Sequence, residues 1–242
     1  MARSTSTPTS APAAPSAPRS ARTTRSGWWR VSEARLAVLI VGVGGQGVLT
    51  AGRILGDAAH ATGLPVVEGQ LHGMSQRGGS VECSVLIGPG ESSFLRVADV
   101  VVGFEPLEAL RAIPKIGPQT RVLLNTGRIV PDELTRAGRP YPPLDSILSD
   151  LRAVAGGLHV VDGHAVAKRV GMTRALNIVL LGALEALELL PFGQAALWQA
   201  VAGRCRPEFL QANREAFDLG RASVDAPQRR PDGGAVSQER PS

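Results

Sequence analysis

Residues 36–48 read L-A-V-L-I-V-G-V-G-G-Q-G-V, and few architectures accept that order. Leu36 to Val41 is a continuous apolar run, the pattern of a strand buried on both faces in a parallel sheet. Gly42, Gly44 and Gly47 then spell G-x-G-x-x-G, which permits a tight turn and lets a ligand's phosphates approach the backbone. From about Gly47 to Ala61 the period is helical, with Val48, Ala51, Leu55 and Ala58 on one face. The first N–H groups of that helix would face an anion held at the turn. Structurally, the same glycines could serve only to pack a strand tightly against a helix.

The pattern downstream alternates in the same way. Strands are expected at Leu64–Glu68, Val81–Ile87, Asp99–Gly103, Arg121–Asn125 and His159–Val161. Helices are expected at Pro106–Ile113, Leu144–Ala155, Ala175–Leu190 and Pro207–Gly220. The stretch from Ala175 is apolar all round and so buried on most sides. Such βα alternation implies an α/β fold: a Rossmann-like, doubly wound, mostly parallel sheet in a single domain spanning residues 35–220. Residues 1–34 and 221–242 are rich in Ser, Pro, Ala and Arg, and are expected to be a disordered extension and tail. An Arg-rich, acid-poor N-terminal stretch is also the composition of a transit peptide.

The tails carry the charge. Of 26 Lys and Arg and 21 Asp and Glu, 16 and 17 respectively fall between Leu36 and Gly220. A near-neutral body argues against a nucleic-acid face, which needs basic residues clustered on folded structure. No apolar run reaches membrane-spanning length, so the expectation is a soluble, cytoplasmic protein with no membrane partner. Cys83 and Cys205 are isolated and lack C-x-x-C spacing. They cannot alone ligate an iron–sulfur cluster or a structural zinc, and are expected to be buried reduced thiols.

A second stretch, H-G-M-S-Q-R-G-G at His72–Gly79, is unusual for a plain connection. His72 is a candidate proton carrier or hydrogen-bond donor. Gln76 offers an amide and Arg77 a planar fork suited to phosphate or carboxylate. Gly73, Gly78 and Gly79 permit unusual backbone angles. The plainer reading is a surface loop whose Arg pairs with a nearby acid. Glu68, about 20 residues past the glycine turn, could contact a ribose, which keeps a dinucleotide site open. There is no G-x-S-x-G elbow, no H-E-x-x-H and no carboxylate cluster for a metal.

Taken together, G-V-G-G-Q-G-V at Gly42–Val48, H-G-M-S-Q-R-G-G-S-V at His72–Val81 and A-D-V-V-V-G-F-E-P-L-E-A-L-R at Ala98–Arg111 resemble the gamma-type domain of the 2-oxoacid:ferredoxin oxidoreductases. N-x-x-L-L-G at Asn177–Gly182 and N-x-x-A-F-x-x-G at Asn213–Gly220 are similar to it as well. Such a free-standing chain resembles the small subunit of the members that act on indolepyruvate and other aryl pyruvates. One departure is visible: the family often has Glu two residues before the loop His, where this chain has Gln70.

The resemblance implies a division of labour. A large partner subunit would carry thiamine diphosphate and iron–sulfur clusters, oxidatively decarboxylate the 2-oxo acid, reduce ferredoxin and release an acyl-CoA. This chain would bind none of those cofactors alone and contribute no catalytic residue. Gly42, Gly44, Gly45, Gln46 and Gly47 would shape a phosphate-facing turn, and His72, Gln76, Arg77, Gly78 and Gly79 an interface loop, with CoA a candidate ligand at the interface. Two other readings stay open: a nucleotide-binding regulatory module, and a self-contained NAD-dependent dehydrogenase. With two isolated cysteines, the purified chain is expected to be colourless and free of stoichiometric iron. Cluster-type absorption in the chain alone would overturn the division of labour.

Overall fold

The apolar run of residues 36–41 becomes the middle of the sheet because nothing in it tolerates water on either face. It opens β1 (Leu36–Val43), whose residues are buried from Val38 to Val43. The computed structural model describes residues 35–72, 78–90, 95–130, 134 and 138–224, with side chains described except at 71 and 72. The expectations for residues 1–34 and 225–242, and for Gln76 and Arg77, lie outside the described residues.

Six strands form one sheet in the order β2-β3-β1-β4-β5-β6, with β2 Val66–His72, β3 Ser80–Ile87, β4 Val100–Gly103, β5 Arg121–Asn125 and β6 Gly157–Val161. β1, β4, β5 and β6 pair in parallel. β3 runs antiparallel between β1 and β2, so five strands share one direction and one opposes them. The reversal follows from chain length. Parallel neighbours need a crossover of a dozen or more residues, and the seven between His72 and Ser80 can make only a hairpin.

Helices cover both faces, as a doubly wound sheet requires. On one side α1 (Val48–Ala61), α4 (Gly163–Arg169), α5 (Leu176–Ala186), α6 (Gln194–Arg204) and α7 (Leu210–Ala222) bury the face carrying Val38, Ile40, Val85 and Val102. On the other, α2 (Pro106–Arg111) and α3 (Leu144–Val154) cover Leu39, Val41, Val101 and Leu124. No described helix is long and apolar enough to cross a membrane.

The residues explain where the expected boundaries shift. β2 starts at Val66 and reaches His72, two residues later and four residues further than its apolar letters suggest, because pairing with β3 carries polar residues along an edge strand. α5 stops at Ala186, not Leu190. Glu188 takes a positive φ of 54°, and the proline at 191 disfavours helix at the residue before it. α4 and α6 were not expected. α6 buries only Leu197 and Val201, too few for a clear helical stripe. The C-terminal boundary also moves: α7 runs through Gly220 to Ala222, and Arg221 pairs with Glu185 of α5 at 2.5 Å.

Gly220 is thus not a terminator but a point of close approach. A Cβ built there lies 2.1 Å from the Val179 carbonyl oxygen, and one built on Gly182 lies 2.1 Å from that of Phe217. The two glycines let α5 and α7 touch backbone to backbone, which accounts for the glycine that ends each terminal motif of the resemblance. Gly182→Ala or Gly220→Ala is expected to destabilise the chain by about 2–3 kcal/mol. Gly203→Ala is the control: inside α6 with nothing within 4 Å of its built Cβ, it should stabilise by about 0.5–1 kcal/mol. Denaturant unfolding checks both, and equal effects at Gly203 and Gly220 would refute the crossing as the reason for these glycines.

Candidate functional site

The carboxyl ends of β1 and β4 meet at the point where the strand order switches direction, the place where open α/β sheets hold ligands. There the glycine turn forms as its spacing requires. Gly45 and Gly47 have φ of 102° and 89°, angles that side chains resist. At Gly42 a built Cβ would stand 2.8 Å from both Gln46 Oε1 and the Phe104 Cβ. Gly47 caps α1 without a side-chain hydrogen bond. Two N–H groups of the turn are engaged, Gly44 with the Gly79 carbonyl at 2.8 Å and Gln46 with the Val43 carbonyl at 3.1 Å. Among the described residues, the N–H groups of Gly45, Gly47, Val48 and Leu49 have no acceptor. They border a cavity of about 410 Å³ lined by Gly44, Gly45, Gly47, Leu49, Thr50 and Val81. Open N–H donors at the start of a 14-residue helix suit an anion.

Gln46 is brought to the turn but does not face the cavity. Its side chain is buried, with Oε1 accepting from Val43 N–H at 2.7 Å and Nε2 donating to the Phe104 carbonyl at 3.1 Å. It shapes the turn from beneath. The same Phe104 carbonyl accepts from Asn125 Nδ2 at 2.8 Å. Asn125 Oδ1 accepts from Gly163 N–H at 3.0 Å, which turns the amide nitrogen toward His164 Nδ1 at 3.2 Å. That orientation makes Nδ1 an acceptor and puts the proton of a neutral His164 on Nε2.

Beside this network lies a carboxyl group that the sequence reading missed. Glu105 is fully buried. It caps α2 by accepting from Glu108 N–H at 3.0 Å, and it also accepts from Ile129 N–H at 3.3 Å and Tyr141 Oη at 2.5 Å. Burial pushes its pKa above the ordinary 4.5, partly opposed by these hydrogen bonds. Tyr141 is raised too, first by burial and then by Glu105. The signal was present as an acid immediately before Pro106, the cap-then-Pro order that opens helices.

The β2–β3 hairpin brings the second motif to the same end. His72 pairs with Val81, and Val81 with Gly42. This places the His72 backbone two strand spacings, about 10 Å, from the turn. Gly78 has φ 80°, and Gly79 holds Gly44. Glu68 is not brought there. It sits on β2, separated from β1 by β3, and its Oε1 lies 2.1 Å from a Cβ built on Gly56, on the third turn of α1. An inserted antiparallel strand thus removes the acid that a dinucleotide site would use.

The thiols do not form a ligand set. Cys83 is enclosed beneath Gly52, and burial, then the Glu68 charge, push its thiol up to about 12. Cys205 is only partly buried, unlike the expectation for it.

The chain is similar to known proteins over most of its described length. The family model described as pyruvate ferredoxin/flavodoxin oxidoreductase matches residues 37–223. Indolepyruvate oxidoreductase subunit IorB of Methanothermobacter thermautotrophicus is 38% identical over 185 residues, covering 76% of this chain and 94% of that one. IorB of Archaeoglobus fulgidus is 38% identical over 188 residues, covering 77% and 94%. Among solved structures, the keto/oxoacid ferredoxin oxidoreductase gamma subunit of Geobacter sulfurreducens superposes with a TM-score of 0.57 at 25% identity, covering 78% of this chain and 97% of that one.

Glu105 yields a pH prediction. With its folded pKa raised, its stabilising contribution is full below the ordinary 4.5 and is lost as pH rises through the folded value. Between about pH 4 and about pH 8 the melting temperature of the natural chain is expected to fall relative to that of Glu105→Gln. Parallel curves would show that the carboxyl titrates like an exposed one.

Proposed function

This chain belongs to the pyruvate ferredoxin/flavodoxin oxidoreductase family, and from that we propose how its glycine turn and hairpin serve the enzyme. It is the small subunit of a 2-oxo acid oxidoreductase of the indolepyruvate class, and a larger subunit completes the enzyme. The observation that carries this is the 38% identity to such subunits across 94% of their length.

The finer division is the one the family resemblance implies. Oxidative decarboxylation and electron transfer to ferredoxin are assigned to the partner, which supplies thiamine diphosphate and iron–sulfur chemistry. Among the described residues no group of three or more His, Cys, Asp or Glu could hold a metal ion, and Cys83 and Cys205 lie on separate elements, which does not fit a cluster here. The part of this chain is anion binding and docking. The free N–H groups of Gly45, Gly47, Val48 and Leu49 are proposed to hold a phosphate group of CoA at the subunit interface. Gly42 and Gln46 keep that turn in shape, and Gly44 and Gly79 lock it to the hairpin. His72, Gln76, Arg77 and Gly78 are proposed to present the hairpin end to the partner or to CoA. The place of Glu68, packed over Gly56 away from the turn, weighs against the dehydrogenase reading.

The test is reconstitution with the large subunit, following 2-oxo acid- and CoA-dependent reduction of an electron acceptor. Arg77→Ala should lower turnover by about 10-fold or more, and Arg77→Lys by less, because a lysine keeps charge but not the bidentate fork. Both should melt like the natural chain, since one loop cation contributes little stability. Unchanged turnover in Arg77→Ala would remove Arg77 from the site.

A further inference from the structure

Helix α1 has a second cavity on its flank, of about 240 Å³, bounded by α5, the end of α6 and the turn Pro207–Phe209. It shares Thr50 with the glycine-turn cavity. Ile54, Met172, Ile178 and Phe209 give it apolar walls. Phe209 at the rim is 45% exposed, apolar surface that an occupant would cover.

Asn177 and Arg206 in this lining have no side-chain partner among the described residues. Asn177 is only 9% exposed, and its side-chain amide makes no hydrogen bond among the described residues. It lies over Gly47, where a built Cβ would stand 3.1 Å from Asn177 Nδ2. An amide open to a cavity can hydrogen-bond a ligand without first breaking a protein contact. The neighbouring Asn213, by contrast, is anchored, its Nδ2 donating to the Phe209 carbonyl at 3.0 Å. The second group is Arg206. The other arginine of the lining, Arg204, is neutralised by Asp57 at 2.5 Å, whereas the exposed Arg206 forms no ion pair among the described residues.

We propose that this cavity binds a small amphipathic monocarboxylate, with its apolar body against Ile54, Met172, Ile178 and Phe209 and its carboxylate toward Arg206 and the Asn177 amide. A cavity of about 240 Å³ admits one aromatic ring with a short acid arm. A guanidinium without an ion pair among the described residues and an amide on the cavity wall favour an anion that also accepts a neutral hydrogen bond. The apolar walls select against inorganic anions and larger nucleotides. The occupant would rest on the residue that packs against Gly47, so the site borders the turn without including it.

The test titrates the isotope-labelled full chain with phenylacetate and with its neutral counterpart phenylacetamide, following backbone amide shifts at Asn177, Ile178, Arg206 and Asn213. The natural chain is expected to bind phenylacetate at least ~10-fold more tightly than phenylacetamide. Arg206→Gln, a change at an exposed side chain, should erase that preference. Asn177→Leu should weaken both ligands by at least ~10-fold while leaving the chain folded by its spectrum. Absence of shifts at these residues up to about 10 mM phenylacetate would overturn the proposal. An undiminished preference for the acid in Arg206→Gln would also overturn it. The titration uses the chain without its partner, so its failure leaves the subunit assignment untouched.

Discussion

One backbone carbonyl, that of Phe104, ties the functional end of the sheet together. It receives Gln46 Nε2 from the glycine turn and Asn125 Nδ2 from β5, and Asn125 in turn receives Gly163 N–H from α4. Three strand ends and a helix start are fixed by side-chain amides rather than by ladder hydrogen bonds, which have run out at that level. Each amide is buried, so losing one link would leave polar groups without partners in a low-dielectric site. The turn can therefore leave four N–H groups open to a ligand without collapsing onto them.

The antiparallel β3 gives the fold its second property. In a dinucleotide-binding sheet the second parallel strand lies beside the first and delivers an acid to the ribose. Here β3 takes that place, and the hairpin end rather than an acid arrives at the turn. The Gly44–Gly79 hydrogen bond locks the two motifs into one unit. The same glycine fingerprint here joins a helix start to the first described residues of β3's side of the hairpin, through Gly44 and Gly79.

Much of this was legible in the residues. The place and start of β1 were read as they stand, because a fully buried strand followed by glycines admits little else. The covering of both sheet faces followed from the alternation. What the letters concealed was use rather than element. Gly220 looks like a helix stop and is a helix crossing. Glu68 has the spacing of a ribose acid and lies against α1. Glu105 and Asn125 passed as ordinary polar letters at the ends of apolar runs, because a capping carboxyl and a cross-strand amide become visible only when distant segments meet. The reversal of β3 was hidden for a related reason: an alternating strand pattern carries no sign of its direction.

The central claim is that the glycine turn and the hairpin end form one face on which the partner subunit and its anionic substrate are received. Backbone hydrogen exchange of the chain, alone and bound to the large subunit, tests it most directly. Slowed exchange at Gly44–Leu49 and across residues 78–81 on assembly, deepened by CoA, with α3 unchanged, is the predicted result. Exchange at the turn and hairpin that stays the same on assembly, with protection confined to α2 and α3, would contradict it.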